Sequence, residues 1–188
     1  MAAAFKAQYP GAHGVYVSHC RAHSGAALIG RTLLVPPQPA DIGGGRRHWV
    51  ACLFTSLGYG KAVDPPEKVL ANTTSALVDL RGQVRALETT AAAGEASSVL
   101  PLPGEWHSAM INSVRFKVPW EETVAVIERV LEGSGKEMVV YEYNRETGRR
   151  AAGGNGRIRD SGWSRSEKRR QSKQRKDGAS RRAGEKLT

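Results

Sequence analysis

The residues of this chain best suited to chemistry lie in one run: Ile111, Asn112, Ser113, Val114, Arg115, Phe116 and Lys117, followed by Val118, Pro119 and Trp120. An amide, a hydroxyl and two cations in so short a stretch can hydrogen-bond and neutralise a phosphate-bearing ligand. The run reads as the end of a buried strand, a short polar loop, and a helix that starts at Pro119. Proline in a first helical turn forfeits no hydrogen bond, and Glu121 and Glu122 sit where the helix dipole favours negative charge. Trp120, Val124, Ile127 and Leu131 recur at helical spacing as one apolar face, and Gly133 supplies a stop. A strand–loop–helix aims backbone N–H groups at whatever occupies the loop, and in open α/β sheets phosphates sit there. The same pattern also serves as a plain βα connection, and pattern alone favours that plainer use.

Other reactive side chains are more scattered. Asp64 and His107 are the candidates for acid–base or nucleophilic work. Asp64 precedes Pro65, Pro66 and Glu67, a helix-start pattern in which its carboxylate serves as the cap, and His107 falls in a loop. No catalytic residue is assigned, since phosphate-ester chemistry can rest on positioning and electrostatic stabilisation without an obvious triad. His19 and His23 sit four apart on a helix face, with Cys20 between them in sequence, but no second cluster stands at metal-ligand spacing. Packing and surface explain them, and no metal or cofactor is expected.

The elements that position these residues follow from periodicity. Residues 32–36 and 49–55 are short apolar runs typical of strands buried on both faces. Between them, 37–47 carries proline and three consecutive glycines and predicts a surface loop. A helix entered at Asp64 continues through Val69, Leu70, Thr73, Leu77, Leu80, Val84 and Leu87. Residues 89–103 predict a long loop. Strands alternating with helices predict an α/β layer with a mostly parallel sheet.

Composition bounds the rest. The 188 residues, 40% of them hydrophobic, suffice for one core, and a monomer is expected. No run is apolar enough for a transmembrane helix and no signal peptide is evident, so no membrane partner is expected. Cys20 and Cys52 form no disulfide framework, which suits reduced thiols in a cytoplasmic or nuclear protein. The net charge of +10 is uneven: 144–188 holds fifteen Lys or Arg against five Asp or Glu, while 1–143 is neutral. Residues 144–188 carry almost no aliphatic side chains beyond Ile158 and Leu187, which predicts a basic disordered tail. Its Lys168, Arg169, Arg170, Lys173, Arg175 and Lys176 suit weak, salt-sensitive contact with nucleic acid or nuclear import. A solvated extension is the plainer reading, and a charge run favours it.

Taken together, Ile111-Asn112-Ser113, Phe116, Val118-Pro119-Trp120 and Thr123 resemble the second ligand loop of small fungal macrodomains, the family of ADP-ribose 1″-phosphate processing. Three further blocks agree in order. Gln8-Tyr9-Pro10-Gly11-Ala12 with Val15-Tyr16-Val17-Ser18-His19-Cys20 is similar to the family's first helix and its successor. Leu28-Ile29-Gly30-Arg31-Thr32-Leu33-Leu34-Val35-Pro36 is similar to the next strand. Cys52-Leu53-Phe54-Thr55-Ser56 with Gly58-Tyr59-Gly60 is similar to a further strand and its loop. The closing strand, 137–142, fits as well, so the likeness spans 1–143.

The resemblance implies a three-layer α/β/α fold with a mostly parallel mixed sheet. It also implies hydrolysis of the terminal phosphate of ADP-ribose 1″-phosphate, a by-product of tRNA splicing. Ile111, Asn112, Ser113, Val114, Arg115, Phe116 and Lys117 would form the diphosphate and distal-ribose loop, with Asn112 and Ser113 donating hydrogen bonds. Ser56 and Gly58 would line the facing edge. The ligand would be ADP-ribose or ADP-ribose 1″-phosphate. Met1 and Ala2 fall at the last two residues of the family's Gly-rich turn, which implies an N-terminally truncated fold lacking the adenine pocket, with activity impaired accordingly. Val114 stands where the family has glycine, and a β-branched residue resists positive φ. Related macrodomains that remove ADP-ribose from glutamate use a lysine and an aspartate where this chain has Ser56 and Phe116, which argues against that activity. The alternative is a non-catalytic ADP-ribose-binding module, or a degenerate fragment whose basic tail contacts nucleic acid.

Overall fold

A computed structural model of the chain describes residues 2–58, 60–94, 101–141 and 156–158. Proline, glycine and short polar side chains mark most boundaries. Helix α1 (Ala2–Gln8) gives way to α2 (Pro10–Ala22), which opens on Pro10, where no hydrogen bond is lost. Ser24 caps α3 (Gly25–Leu28) by accepting the Ala27 N–H at 3.3 Å. Strand β1 (Thr32–Val35), the four-residue helix α4 (Pro39–Ile42) and β2 (Val50–Leu53) follow. After a 3₁₀ turn at Gly60–Ala62 comes α5 (Pro66–Ala92), which is about 40 Å long by helical rise. Then come β3 (Trp106–Ala109), α6 (Ser113–Phe116), α7 (Trp120–Leu131), β4 (Met138–Tyr141) and β5 (Gly156–Ile158). Gly133, at φ +68°, follows the end of α7, as a glycine stop should.

The class is α/β, with helices around two small sheets. β1 and β2 pair antiparallel, Thr32 opposite Leu53 and Val35 opposite Val50. β3 and β4 pair in parallel, Trp106 opposite Met138, and β5 adds to β4 antiparallel. The sequence predicted mostly parallel pairing, yet among the described strands only β3 and β4 pair that way. They are joined through α7, the crossover a parallel pair requires. Between β1 and β2 the one helix is α4, a single turn that cannot carry the chain back along a strand, so β2 returns antiparallel. Two further differences concern length. α5 runs to Ala92, past the loop predicted from residue 89, and α4 forms inside the predicted surface loop. The predicted tail 144–188 lies outside the described residues except for 156–158, which form β5 along the otherwise open edge of β4.

The core is assembled on α5. Val69, Thr73, Ala76, Leu77, Leu80 and Val84 form its buried stripe, close to the face read from spacing. Leu77, Leu80 and Val84 pack with Trp106 of β3, with Val126, Ile127, Val130 and Leu131 of α7, and with Met138 and Val140 of β4. Leu34 and Leu53 of the other sheet pack against the same cluster. On α7 the buried stripe is turned relative to expectation: Thr123, Val126 and Val130 are buried, whereas Trp120 and Val124 are only half-buried.

Hydrogen bonds fix α5 to its neighbours at three levels. Thr32 donates its hydroxyl to the Ala76 carbonyl at 2.6 Å and its N–H to Asp79 at 2.8 Å, while Gln83 donates to the Thr32 carbonyl at 2.8 Å. Arg81 donates to the Val130 carbonyl at 2.7 Å, completing the C-terminal end of α7. At the other side of the molecule, buried Asp41 of α4 accepts the N–H groups of Gly11 and Ala12 at 2.9 and 3.0 Å. A carboxylate thus caps the positive end of α2. Glycine is required at residue 11 because a Cβ there would lie 2.6 Å from Cβ of Gln38.

One buried polar atom is left over. Thr123 is fully buried, and its hydroxyl has no partner among the described residues. An unpaired buried hydroxyl costs stability, so Thr123→Val is expected to leave the protein as stable or to raise its unfolding free energy by about 1 kcal/mol. The midpoint of urea unfolding measures this; a marked loss would mean that the hydroxyl has a partner.

Candidate ligand-binding site

The loop after β3 closes on itself. Asn112 and Lys117 both adopt left-handed backbone, at φ +65° and +57°, and bracket the single helical turn α6. Asparagine tolerates this conformation better than most side chains. The Asn112 carbonyl accepts the Val118 N–H at 3.2 Å, and Val118 is buried beneath the loop. The polar loop read from the sequence is therefore largely helical. Val114 lies inside α6, so its β-branch meets no positive φ; the glycine-like positions are 112 and 117 instead.

The side chain of Asn112 is buried rather than presented to solvent. Its Nδ2 donates to the Thr73 hydroxyl at 2.8 Å, and its Oδ1 accepts from the Thr55 hydroxyl at 3.4 Å. Thr73 in turn donates to the Val69 carbonyl at 2.7 Å, and Asn72 donates to the Thr55 carbonyl at 3.0 Å. These bonds tie the ends of β2 and β3 to one face of α5. Through Thr55 they connect the segment that carries Ser56 and Gly58 to the 111–117 loop. Ser113, half-buried, donates its hydroxyl to the Met110 carbonyl at 3.0 Å. Ile111 packs on the core, Phe116 is half-buried, and Lys117 is exposed.

The facing loop is organised by Asp64. Its Oδ2 accepts the Leu57 N–H at 2.9 Å and the Ser56 hydroxyl at 3.0 Å, and Oδ1 meets Lys68 Nζ at 2.7 Å. The expected helix-capping role does not hold: α5 starts one residue after Pro65, with no side-chain cap, and the carboxylate faces back to its own loop. Gly58 has a steric reason, since a Cβ there would collide with the Ala62 carbonyl.

No protein-family model matches the chain. Individual relatives do. It is 35% identical to the ADP-ribose 1″-phosphate phosphatase of Aspergillus fumigatus, over 74% of this chain and 78% of the relative. It is 34% identical to the protein of that name from Aspergillus oryzae, over 74% and 77%. For Meyerozyma guilliermondii the figures are 32%, over 69% and 74%. The chain belongs to the macrodomain family of ADP-ribose 1″-phosphate phosphatases.

In this family member the remaining reactive groups have partners of their own. His107 lies on β3 rather than in a loop, stacked on Tyr141 and hydrogen-bonded to its hydroxyl at 3.0 Å and to Glu105 at 3.2 Å. The His19 and His23 rings lie 4.3 Å apart, tilted by 33°, His19 stacks on Phe54, and His23 is hydrogen-bonded to the His19 carbonyl. Among the described residues no three His, Cys, Asp or Glu are gathered as a metal would need. Burial, with the nearby Cys20, pushes the Cys52 thiol up to about 11, so at neutral pH it is protonated and a poor nucleophile. Sequence reasoning missed Thr55, Asn72 and Thr73 as parts of the site. The signal was present for Thr73, a hydroxyl in the middle of an otherwise apolar helix face.

Two outcomes follow from these electrostatics. The Lys68 ammonium, with the Leu57 N–H, holds the Asp64 carboxyl below its ordinary range. A depressed folded-state pKa contributes stability that is complete above the unfolded value of about 4 and is lost as pH falls through the folded one. Asp64→Asn is therefore expected to lower the Tm at pH 7, with the gap to the unmodified chain narrowing below about pH 4. Cys52 is expected to alkylate with iodoacetamide at pH 8 more than about tenfold slower than a free thiol, with a rate that rises toward pH 11. Peptide mapping of the labelled protein measures that ratio.

Proposed function

We propose that this chain hydrolyses the terminal phosphate of ADP-ribose 1″-phosphate, giving ADP-ribose and inorganic phosphate. The observation that carries the proposal is the Thr55–Asn112 contact, which connects the segment that carries Ser56 and Gly58 to the 111–117 loop in a member of this family. In this reading 111–117 is the diphosphate and distal-ribose loop and Ser56 and Gly58 line the opposite edge. Asn112 shapes the loop from inside, Ser113 adds polar groups beside the ligand, and Lys117, exposed at the end of α6, supplies positive charge with Arg115. The finer architecture that goes with it is a three-layer α/β/α fold with a mixed sheet. It is supported by Leu34, Leu53, Met138 and Val140 of both sheets packing on one core with α5 and α7.

The reaction transfers a phosphoryl group from the 1″-oxygen to water. Neither Cys52, protonated, nor Asp64, whose oxygens are engaged by Leu57, Ser56 and Lys68, is free to act as a nucleophile. Rate enhancement then rests on positioning the ester and on neutralising charge as it develops on the phosphoryl oxygens.

Incubation of the full chain with ADP-ribose 1″-phosphate is expected to release phosphate in step with ADP-ribose. Lys117→Ala is expected to raise KM about tenfold, the loss of one charge-assisted contact, with a smaller change in kcat. Binding of ADP-ribose without phosphate release would make the chain a non-catalytic reader. Absence of both would overturn the proposal.

A further inference from the structure

We infer that Thr73, assisted by Thr55, is the positioning residue of the ligand loop: it holds Asn112 in its left-handed conformation and thereby sets the affinity for ADP-ribose. The affinity half of this inference rests on the proposed function; the conformational half does not.

Three observations support it. First, Asn112 occupies positive φ without being glycine, and its amide is buried, so the conformation persists only if the amide has partners. Second, Thr73 is itself fixed. Its proton goes to the Val69 carbonyl, which leaves its oxygen lone pair as the acceptor for Asn112 Nδ2 at 2.8 Å. This assignment is self-consistent, because each hydroxyl donates once and the amide carbonyl is left to receive Thr55. Third, the restraint reaches the whole loop, since the Asn112 carbonyl receives the Val118 N–H and closes the segment that carries α6 and Lys117. Thr73 is fully buried on a long helix. It acts through Asn112 alone.

Removing the hydroxyl leaves a buried amide N–H without its acceptor. The nearest relief is rotation of Asn112 toward water, which abandons the left-handed backbone and the closure at Val118. Thr73→Val keeps the shape without the acceptor, and Thr73→Ser keeps the acceptor.

The test uses the full chain with hydrogen exchange and calorimetric titration of ADP-ribose. In Thr73→Val the Val118 amide is expected to exchange about tenfold faster while the Ile127 amide in α7 changes less than about twofold. The Kd for ADP-ribose is expected to rise about tenfold, and Thr73→Ser to recover most of both losses. Thr55→Val, which removes the weaker arm, is expected to act in the same direction and serves if Thr73→Val does not fold. Unchanged Val118 exchange, or equal loss at Val118 and Ile127, would overturn the inference, because Thr73 would then contribute only to general stability. Failure of the unmodified chain to bind ADP-ribose would count against the proposed function instead, with the exchange comparison still deciding whether Thr73 sets the loop.

Discussion

A primary amide taken out of water must find partners for both its N–H and its carbonyl, and at Asn112 those partners come from two different elements. This requirement fixes the relation between parts that are distant in sequence. β2 has to end so that Thr55 reaches the amide oxygen, and α5 has to present Thr73 to the amide nitrogen. The loop leaving β3 must enter left-handed backbone at residue 112. The apolar core supplies most of the burial energy, but dispersion and hydrophobic contact are tolerant of small sliding. The 2.8 Å hydrogen bond from Asn112 to Thr73 is not, because its geometry fails within a fraction of an ångström. It converts a packed α/β layer into one with its loops in register.

Aspartates perform a related task elsewhere in the fold. Asp41 accepts from Gly11 and Ala12, Asp64 from Leu57, and Asp79 from Thr32. In each case a carboxylate pairs backbone N–H groups, of another segment for Asp41 and Asp79 and of its own loop for Asp64, that would otherwise lack a helix or sheet partner. The near-neutral charge of 1–143 therefore understates the work of its acidic residues, several of which are internal ties rather than a solvated surface. For Asp64 the consequence reaches the candidate site. A carboxylate favoured in its ionised form by Lys68 and by a backbone N–H ties Ser56 and Leu57 together, and is for the same reason unsuited to donating a proton.

Much of the architecture was legible in the residues. The apolar stripe of α5, the start of α7 after Pro119, its stop at Gly133 and the short strands around residues 32–35 and 50–53 follow from periodicity and from the backbone chemistry of proline and glycine, although β2, with Ala51 exposed, is not buried on both faces as its apolar run predicted. The 111–117 segment stood out by composition, and relatives of known name share its family. What misled was local. Three glycines and two prolines hid α4, whose one turn is stabilised by Asp41 reaching α2, a contact invisible in its own segment. Asp64 looked like a cap because it precedes a helix, yet Leu57 and Ser56 offered better geometry from the other direction.

The sequence by itself determined the two long helices α5 and α7, the apolar stripe of α5 and the loop that carries the polar and cationic side chains, since these depend on neighbours a few residues apart. Tertiary structure alone decided that β2 returns antiparallel and that positive φ falls on Asn112 and Lys117 rather than on Val114. It also decided that the Asn112 amide turns inward to Thr73 and Thr55. That last outcome hinges on partners 39 and 57 residues away along the chain, and a buried polar group selects its partner by distance in space.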